Sequence, residues 1–345
     1  MAELDAHARP PEAIRLRYKN YQKMPRHAID VSTDIFDAEQ QSWAGCGISR
    51  TPLPQSIHQV FERFSQDPLP HYDEKKSPLA YEHPKVPGLI IIPSLLPPST
   101  QLSLLHKLLH RDLSTPSHKT NLHLHYNVAY PSSGQEGQSP SFFTDSALSL
   151  VHTPKDPTLH KPLSMKSCLN RKLRWVTLGG QYDWTEKVYP SSPPPAFPED
   201  VGNLIEGLFP SMKAQAAIVN LYTPGDTLSL HRDVSEMCDR DLVSISLGCD
   251  GLFVAGLGSD EHGDETNSLV MRLRSGDAVV MSGLARYAWH GVPQILGDTC
   301  PEWMKEWPAR SETDKEGGEE GATYELWKGW MARKRINLNV RQMWD

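Results

Sequence analysis

From residue 214 to the C-terminus, short apolar runs alternate with breaks rich in glycine, proline and aspartate, the pattern of successive β-strands. Ala216-Ala-Ile-Val-Asn-Leu-Tyr222 reads as a strand, Thr223-Pro-Gly-Asp226 as a turn and Leu228-Ser-Leu-His-Arg-Asp233 as a second strand. Segments 242–247, 251–255, 269–273, 277–281 and 286–290 continue the series with no helical periodicity between them. Short strands at this spacing imply a sandwich or jelly roll. Upstream, Gly88-Leu-Ile-Ile-Ile-Pro93 reads as a buried strand, and leucines at 102, 105, 108 and 109 have helical spacing. The expected fold is mostly β with flanking helices (α+β).

The last apolar-polar run is the most telling. In Arg335-Ile-Asn-Leu-Asn-Val-Arg341, polar residues at 335, 337, 339 and 341 alternate strictly with aliphatic ones. As a strand it places both arginines and both asparagines on one face. Enclosing two guanidinium groups is costly unless anions meet them there. A small dicarboxylate satisfies that need. Residues 333–341 are therefore expected to be a closing strand that binds one.

Composition changes the picture only in part. Twenty-nine prolines against 23 glycines favour long irregular connections over a helical bundle. The net charge of −7 argues against indiscriminate coating of nucleic acid, while leaving room for a local basic groove. Five scattered cysteines without a C-x-x-C pair give no disulfide framework or zinc knuckle. No apolar run has the length of a membrane span, and the acidic N-terminus lacks a signal-type apolar core. An intracellular monomer is expected, in nucleus, cytoplasm or mitochondrion. Residues 1–85 form a polar extension with one basic helix-like stretch (Arg15, Arg17, Lys19, Lys23, Arg26), and residues 86–345 the main domain. Within it, 297–324 is acidic, glycine-bearing and read as a surface insertion.

The candidate chemistry centres on His231-Arg-Asp233 and His290. An H-x-D pair alone is weak, and His290 alone reads as a core histidine. Together, two histidines and a carboxylate with positions left open match the facial triad of non-haem Fe(II) oxygenases. The open positions suit 2-oxoglutarate and O2. The co-substrate's far carboxylate then needs the closing-strand arginines, with Asn220 and Tyr222 available for hydrogen bonds. Between Lys155 and Arg174 lie six basic residues and one acid, directly before Trp175 and Tyr182. Cations interleaved with aromatics suit a surface that neutralises phosphates and stacks bases. A basic loop before an aromatic core strand is the equally weighted alternative.

These segments carry a family resemblance. Asn220-Leu-Tyr222, His231-Arg-Asp233, Ser282-Gly283-Leu-Ala-Arg286 before His290, and Arg335-x-Asn337-x-x-x-Arg341 resemble the AlkB family of Fe(II)/2-oxoglutarate dioxygenases. Leu173-Arg-Trp-Val-Thr-Leu-Gly179, Tyr182-Asp-Trp184 and His-x-Asp-x-Ser-Glu236 are similar to its eukaryotic AlkB homologue one branch. The resemblance implies a double-stranded β-helix core over 214–345 with a nucleotide-recognition region over 114–200. It implies iron on His231, Asp233 and His290, and the distal carboxylate of 2-oxoglutarate on Arg335. It places the metal-side carboxylate on Arg341, assisted by Asn220, Tyr222 and Asn337. Trp175 and Tyr182 fall where the family places substrate-side aromatics; Lys166, Arg171, Lys172 and Arg174 are the candidate phosphate contacts. Bacterial members carry an acid at the position of Ser235, so their substrate preference does not transfer. The implied activity is oxidative demethylation of N-methylated bases in DNA or tRNA, releasing succinate, CO2 and formaldehyde, in DNA repair or tRNA modification. A methyl-lysine dioxygenase and a non-catalytic nucleic-acid-binding relative are the alternatives.

Overall fold

The computed structural model describes residues 5, 7–38, 48–65, 78–132, 140–183, 188–190, 192–258, 267–309 and 324–345. Among the described residues, three sheets form. The largest runs β2 (Ser49–Pro52), β3 (Leu79–Glu82), β4 (Leu89–Ile92), β14 (Ala278–Met281), β11 (Leu242–Gly248), β16 (Arg335–Arg341), β9 (Ala216–Tyr222) and β8 (Trp175–Gly179). The second runs β1 (Ile35–Asp37), β13 (Ser268–Leu273), β12 (Gly251–Gly256), β15 (Trp289–Ile295) and β10 (Leu228–His231). Short β5 (Tyr126–Asn127), β6 (Val151–Pro154) and β7 (Leu163–Ser164) make the third. Apart from the parallel β1–β13 pair, the ladders are antiparallel, as a jelly roll requires.

The closing strand is held on both edges. It pairs residue by residue with β11, from Leu242↔Arg341 to Gly248↔Arg335, and with β9, from Arg335↔Tyr222 to Arg341↔Ala216. Ile336, Leu338 and Val340 are fully buried in the main core, with Leu104 and Leu105 of helix Pro98–His106 and Leu204 and Ile205 of helix Glu199–Leu208. Each such side chain contributes roughly 1.5–3 kcal/mol on burial. A slip of one residue would expel all three and drive two guanidinium groups into the aliphatic layer. The alternation read from sequence therefore fixes this register.

Residues before 86 are integral to the fold, because β2 and β3 extend the larger sheet and β1 joins the second. The basic stretch up to Lys23 forms α1 (Glu12–Lys23), with an acid in its first turn and a lysine in its last, as the helix dipole favours, and Arg26 opens a separate short helix, Arg26–Asp30. Its Ile14, Tyr18 and Tyr21 pack on Leu252, Val254, Val270 and Trp289. Arg15, Arg17 and Arg26 pair with Glu12, Asp34 and Asp30.

Two other expectations change. In 286–290 a helical turn spans Gly283–Tyr287, and the strand begins at Trp289 and runs on to Ile295. In the supposed insertion 297–324, Cys300, Met304, Trp307 and Ala309 are buried, so its first part is core; residues 310–323 lie outside the described ones. No helix among the described residues is long and apolar enough to cross a membrane.

That core contains an acid-sensitive point. His110 is stacked on Tyr324 at 4.5 Å, lies 5.1 Å from the Trp307 ring, and shares a 2.6 Å hydrogen bond with Ser141 Oγ. Burial, then His106, pushes its pKa down to about 3. A histidine kept neutral in the fold but basic when unfolded stabilises above its unfolded pKa, and the fold loses that stability as pH falls towards 3. From pH 6.5 to 5 the loss is about 1.5 × 1.36, or roughly 2 kcal/mol. Chemical denaturation at both pH values should show His110→Phe to be less acid-sensitive than wild type.

Candidate active site

The two candidate imidazoles meet because of strand register. His231, the last residue of β10, faces His290 of β15 directly across the ladder, with ring centroids 4.3 Å apart. A register shift between Leu228 and His231 re-aims the end of β10, as bulges beside active sites do. The Tyr18 hydroxyl of α1 donates to the Leu228 carbonyl at 3.0 Å and braces this shifted segment. Asp233 lies just beyond the strand rather than on it, yet Asp233 Oδ1 comes 3.6 Å from His231 Nε2. Ligand atoms of His231, Asp233 and His290 all lie within 4.8 Å of one another, a spacing that one metal ion can bridge.

The protein sets the tautomers. His231 Nδ1 is 2.9 Å from the Ser229 carbonyl and His290 Nδ1 is 3.0 Å from that of Ala288. Carbonyls only accept, so each Nδ1 carries the proton and each Nε2 keeps a free lone pair for a metal. Burial, then the neighbouring His231, pushes His290 down to about 4, which keeps it neutral near pH 7. Burial alone would raise the Asp233 carboxyl; Arg341 foremost, with nearby His231 and His290, instead holds it below the usual carboxylate range.

Behind the triad lies a buried ion network. Arg341 Nη2 is 3.0 Å from Asp233 Oδ2, an ion pair without hydrogen-bond alignment, and Arg341 Nη1 is 3.2 Å from Glu236 Oε1. Glu236 also accepts from Arg286 at 3.0 Å, and Arg286 donates to the carbonyls of Asp233 and Arg240 at 2.8 Å. Two acids balance two guanidinium groups, and Arg341 is neutralised by the chain itself. Sequence reasoning gave Glu236 and Arg286 no role; its available signal was their position within the quoted motifs. Glu236→Ala leaves Arg286 and Arg341, whose side chains are 1% and 4% exposed, short of an anion. Breaking such a pair costs roughly 3–5 kcal/mol, and urea denaturation of the metal-free protein should show a loss of that size.

Arg335 stands differently. It is 2% exposed and donates only to neutral acceptors: the carbonyls of Cys249 and Leu273 at 3.2 Å and Ser246 Oγ at 2.7 Å. Among the described residues its Nε has no hydrogen-bond partner, nor does the buried hydroxyl of Tyr222, its cross-strand neighbour. Burial lowers the Arg335 pKa despite opposing influences from Tyr222, Asp250 and Asp277. Gly251 makes room for it, since a Cβ there would stand 2.8 Å from Nε.

A cavity of about 240 Å³ opens onto His231, Asp233 and Arg341, with Tyr182, Asn220, Ser235 and Asn339 also in its lining; Arg335 and Tyr222 lie outside that lining. Tyr182 is thus in the cavity wall, its hydroxyl 3.5 Å from Ser235 Oγ. Trp175, paired across from Asn220 on β8, is outside that lining. Asn337 spends its amide on Ser244 Oγ at 2.7 Å and the Ile245 carbonyl at 3.1 Å. Asn339, which the sequence placed on the same face without a role, has a buried and unpartnered Oδ1 in the cavity wall. The four basic candidates do not act as one group. Arg174 is ion-paired with Asp226, Lys166 lines a separate groove with Trp327 and Trp330, and Arg171 and Lys172 are exposed.

Comparison with known proteins agrees with this geometry. The description "2OG-Fe(II) oxygenase superfamily" applies to the family matching residues 88–341. The N6-methyladenosine RNA demethylase ALKB1 of Pyricularia oryzae is 45% identical over 99% of this chain and 98% of its own. The N6-methyladenosine RNA demethylase ALKBH of Cryphonectria parasitica is 53% identical over 65% of this chain and 100% of its own. The tRNA demethylase abh1 of Schizosaccharomyces pombe is 35% identical, covering 77% and 82%. The chain belongs to the 2OG-Fe(II) oxygenase superfamily, as a eukaryotic member of the AlkB family.

Proposed function

We propose that this chain is an Fe(II)- and 2-oxoglutarate-dependent oxidative demethylase of N-methylated bases in nucleic acid, with methylated adenine in RNA as the first substrate to try. The observation that carries the reading is the Arg335 guanidinium, hydrogen-bonded to neutral acceptors and not to any carboxylate among the described residues, beside the orphaned Tyr222 hydroxyl and on the same polar face as the arginine that holds Asp233. A buried cation and a buried hydroxyl, both lacking partners, fit the far carboxylate of a dicarboxylate. Two Nε2 lone pairs and one carboxylate oxygen fit a divalent iron and leave coordination positions open. Two of the relatives named above are N6-methyladenosine RNA demethylases, which sets the order of substrates.

Iron with 2-oxoglutarate and O2 supplies the oxidising step that hydroxylates the N-methyl carbon, after which formaldehyde leaves. The remaining work falls to the chain. Ser229 and Ala288 carbonyls fix the imidazoles; Arg341, balanced by Glu236, orients the Asp233 carboxylate; Arg335 and Tyr222 anchor the co-substrate. Tyr182 and Ser235 line the cavity that would receive the base. Because these groups lie inside the barrel, a paired base must leave its helix to reach them. The test is formaldehyde release from N6-methyladenosine, 1-methyladenosine and unmodified oligonucleotides, with succinate measured in parallel. Succinate without formaldehyde from any methylated oligonucleotide would keep the oxygenase and discard the nucleic-acid substrate.

A further inference from the structure

The strand that ends at His231 is weakly held by its own sheet. β10 is outermost in the second sheet, four residues long, with β15 as its single ladder neighbour among the described residues. Its pairing also carries one residue too many. The pairs Leu228↔Val292 and His231↔His290 bracket Ser229 and Leu230 on β10 against Gly291 alone on β15. Gly291 makes this bulge possible, since a Cβ there would stand 2.8 Å from the Leu228 carbonyl oxygen. The bulge matters to the metal, because its Ser229 carbonyl is the acceptor that holds His231 Nδ1. The aim of His231 Nε2 therefore depends on a bulge at a sheet edge, where ladder groups are left unpaired.

What steadies the bulge comes from the far end of the chain. α1 packs Ile14, Tyr18 and Tyr21 on the second sheet, and Gly256 leaves room for Ile14, whose Cδ1 would meet an added Cβ at 2.9 Å. That seat puts the Tyr18 hydroxyl 3.0 Å from the Leu228 carbonyl and 3.3 Å from that of Val292, the two members of the pair that precedes the bulge. One hydroxyl thus spans both strands that carry the histidines. Leu230, the second residue of the bulge, packs against the same apolar layer as Tyr18. Beyond His231, Arg232 stacks on the Trp289 ring at 4.6 Å and donates to the Asp5 carbonyl at 3.4 Å. Tyr18 and Asp5 touch the chain on either side of His231, yet neither is in the lining of the metal cavity.

We propose that Tyr18 is a positioning residue for the metal site, a role that rests on His231, Asp233 and His290 holding iron as proposed above. Its hydroxyl pins the bulge of β10, and the pinned Ser229 carbonyl aims the His231 imidazole. Loss of the hydroxyl leaves the Leu228 carbonyl without this donor in an apolar surrounding, and the bulge shifts to find another. His231 then samples orientations in which Nε2 points away from Asp233 and His290. Metal binding must first order the ring, so affinity falls. Metal affinity is set in part from outside the barrel, by a helix of the N-terminal extension.

The test is calorimetric titration of the metal-free full chain with Co(II), which follows Fe(II) in the order of affinities for such donors. Tyr18→Phe keeps the ring in its apolar layer and removes only the hydroxyl, so the fold is retained. Its Co(II) affinity is expected to fall about tenfold, the low end for losing a group that orients a metal ligand. Tyr21→Phe is the control, because it removes a hydroxyl of the same helix that donates to Asp34 at 2.6 Å, away from β10. Its Co(II) affinity should match wild type, although each variant loses one hydrogen bond of α1. A second measurement reads the ring itself. NMR of metal-free, histidine-labelled protein should show the His231 proton on Nδ1 in wild type and Tyr21→Phe, and mixed tautomers in Tyr18→Phe. Wild-type Co(II) affinity in Tyr18→Phe overturns the proposal, and so does an equal loss in Tyr21→Phe, the mark of general loosening of α1. A wild type that binds no Co(II) removes the triad reading, and this role of Tyr18 with it.

Discussion

Asp233→Ala is expected to reduce turnover to background and to abolish stoichiometric iron binding, with the fold retained. The carboxylate is the only anionic group of the triad, and without it two neutral imidazoles must hold a divalent ion alone. The fold survives because Asp233 lies in a cavity wall beyond the end of β10 rather than in the aliphatic core, and Arg341 keeps Glu236 as a counter-ion. His231→Ala should behave alike, since its ring also faces the cavity. Iron content by metal analysis, succinate formation and circular dichroism make the comparison. An Asp233→Ala protein that retains both iron and activity removes the triad from the mechanism.

Arg335→Ala should weaken 2-oxoglutarate binding by roughly 2–5 kcal/mol, the range for truncating a buried charge-assisted pair, or about 30- to 5,000-fold. Arg335→Lys should recover part of this, because an ammonium cannot reproduce a planar fork. The same residue makes a second, opposite effect measurable. Without co-substrate its hydrogen bonds go to neutral acceptors alone and burial outweighs the influence of Asp250 and Asp277, so Arg335→Met is expected to leave the co-substrate-free protein about as stable as wild type. Addition of 2-oxoglutarate should then raise the melting temperature of wild type far more than that of the variant. Equal ligand-induced shifts would show that the dicarboxylate is anchored elsewhere.

The sequence was most legible where period and chemistry coincide. The strict alternation of 335–341 specified a strand with a cationic face, and β16 has those bounds. His231 and His290 could be named from residue type, but the reason they meet, a cross-strand register with a local shift, is a property of the pairing and has no local signature. Arg341 was legible as a buried cation needing an anion, whereas its partners Asp233 and Glu236 come from a loop that only the fold brings there. The basic run 155–174 shows the limit of linear reading. Its members point to different places, and Lys172 and Arg174 are tied through their backbones to Asn121, which lies outside the run. The part played by residues before 86 was hidden for a related reason. Polar, proline-punctuated sequence resembles a linker, yet β1, β2 and β3 are edge elements that need few apolar residues of their own once a preformed neighbour supplies the ladder.

The double zippering of β16 turns this strand into a ruler. Arg335 and Arg341 are six residues apart, or about 20 Å between Cα atoms at strand rise. With β11 and β9 paired along the whole length, neither end can creep towards the other. One end is tied to the metal carboxylate through Arg341, and the other presents the unspent guanidinium of Arg335. If the co-substrate spans these two arginines as proposed, discrimination among keto-diacids by chain length is expected to originate in backbone register, at a distance from the reacting atoms. Substitutions among the other cavity-lining residues, such as Tyr182 and Ser235, are then expected to alter which base is chosen while the length of the accepted diacid stays fixed.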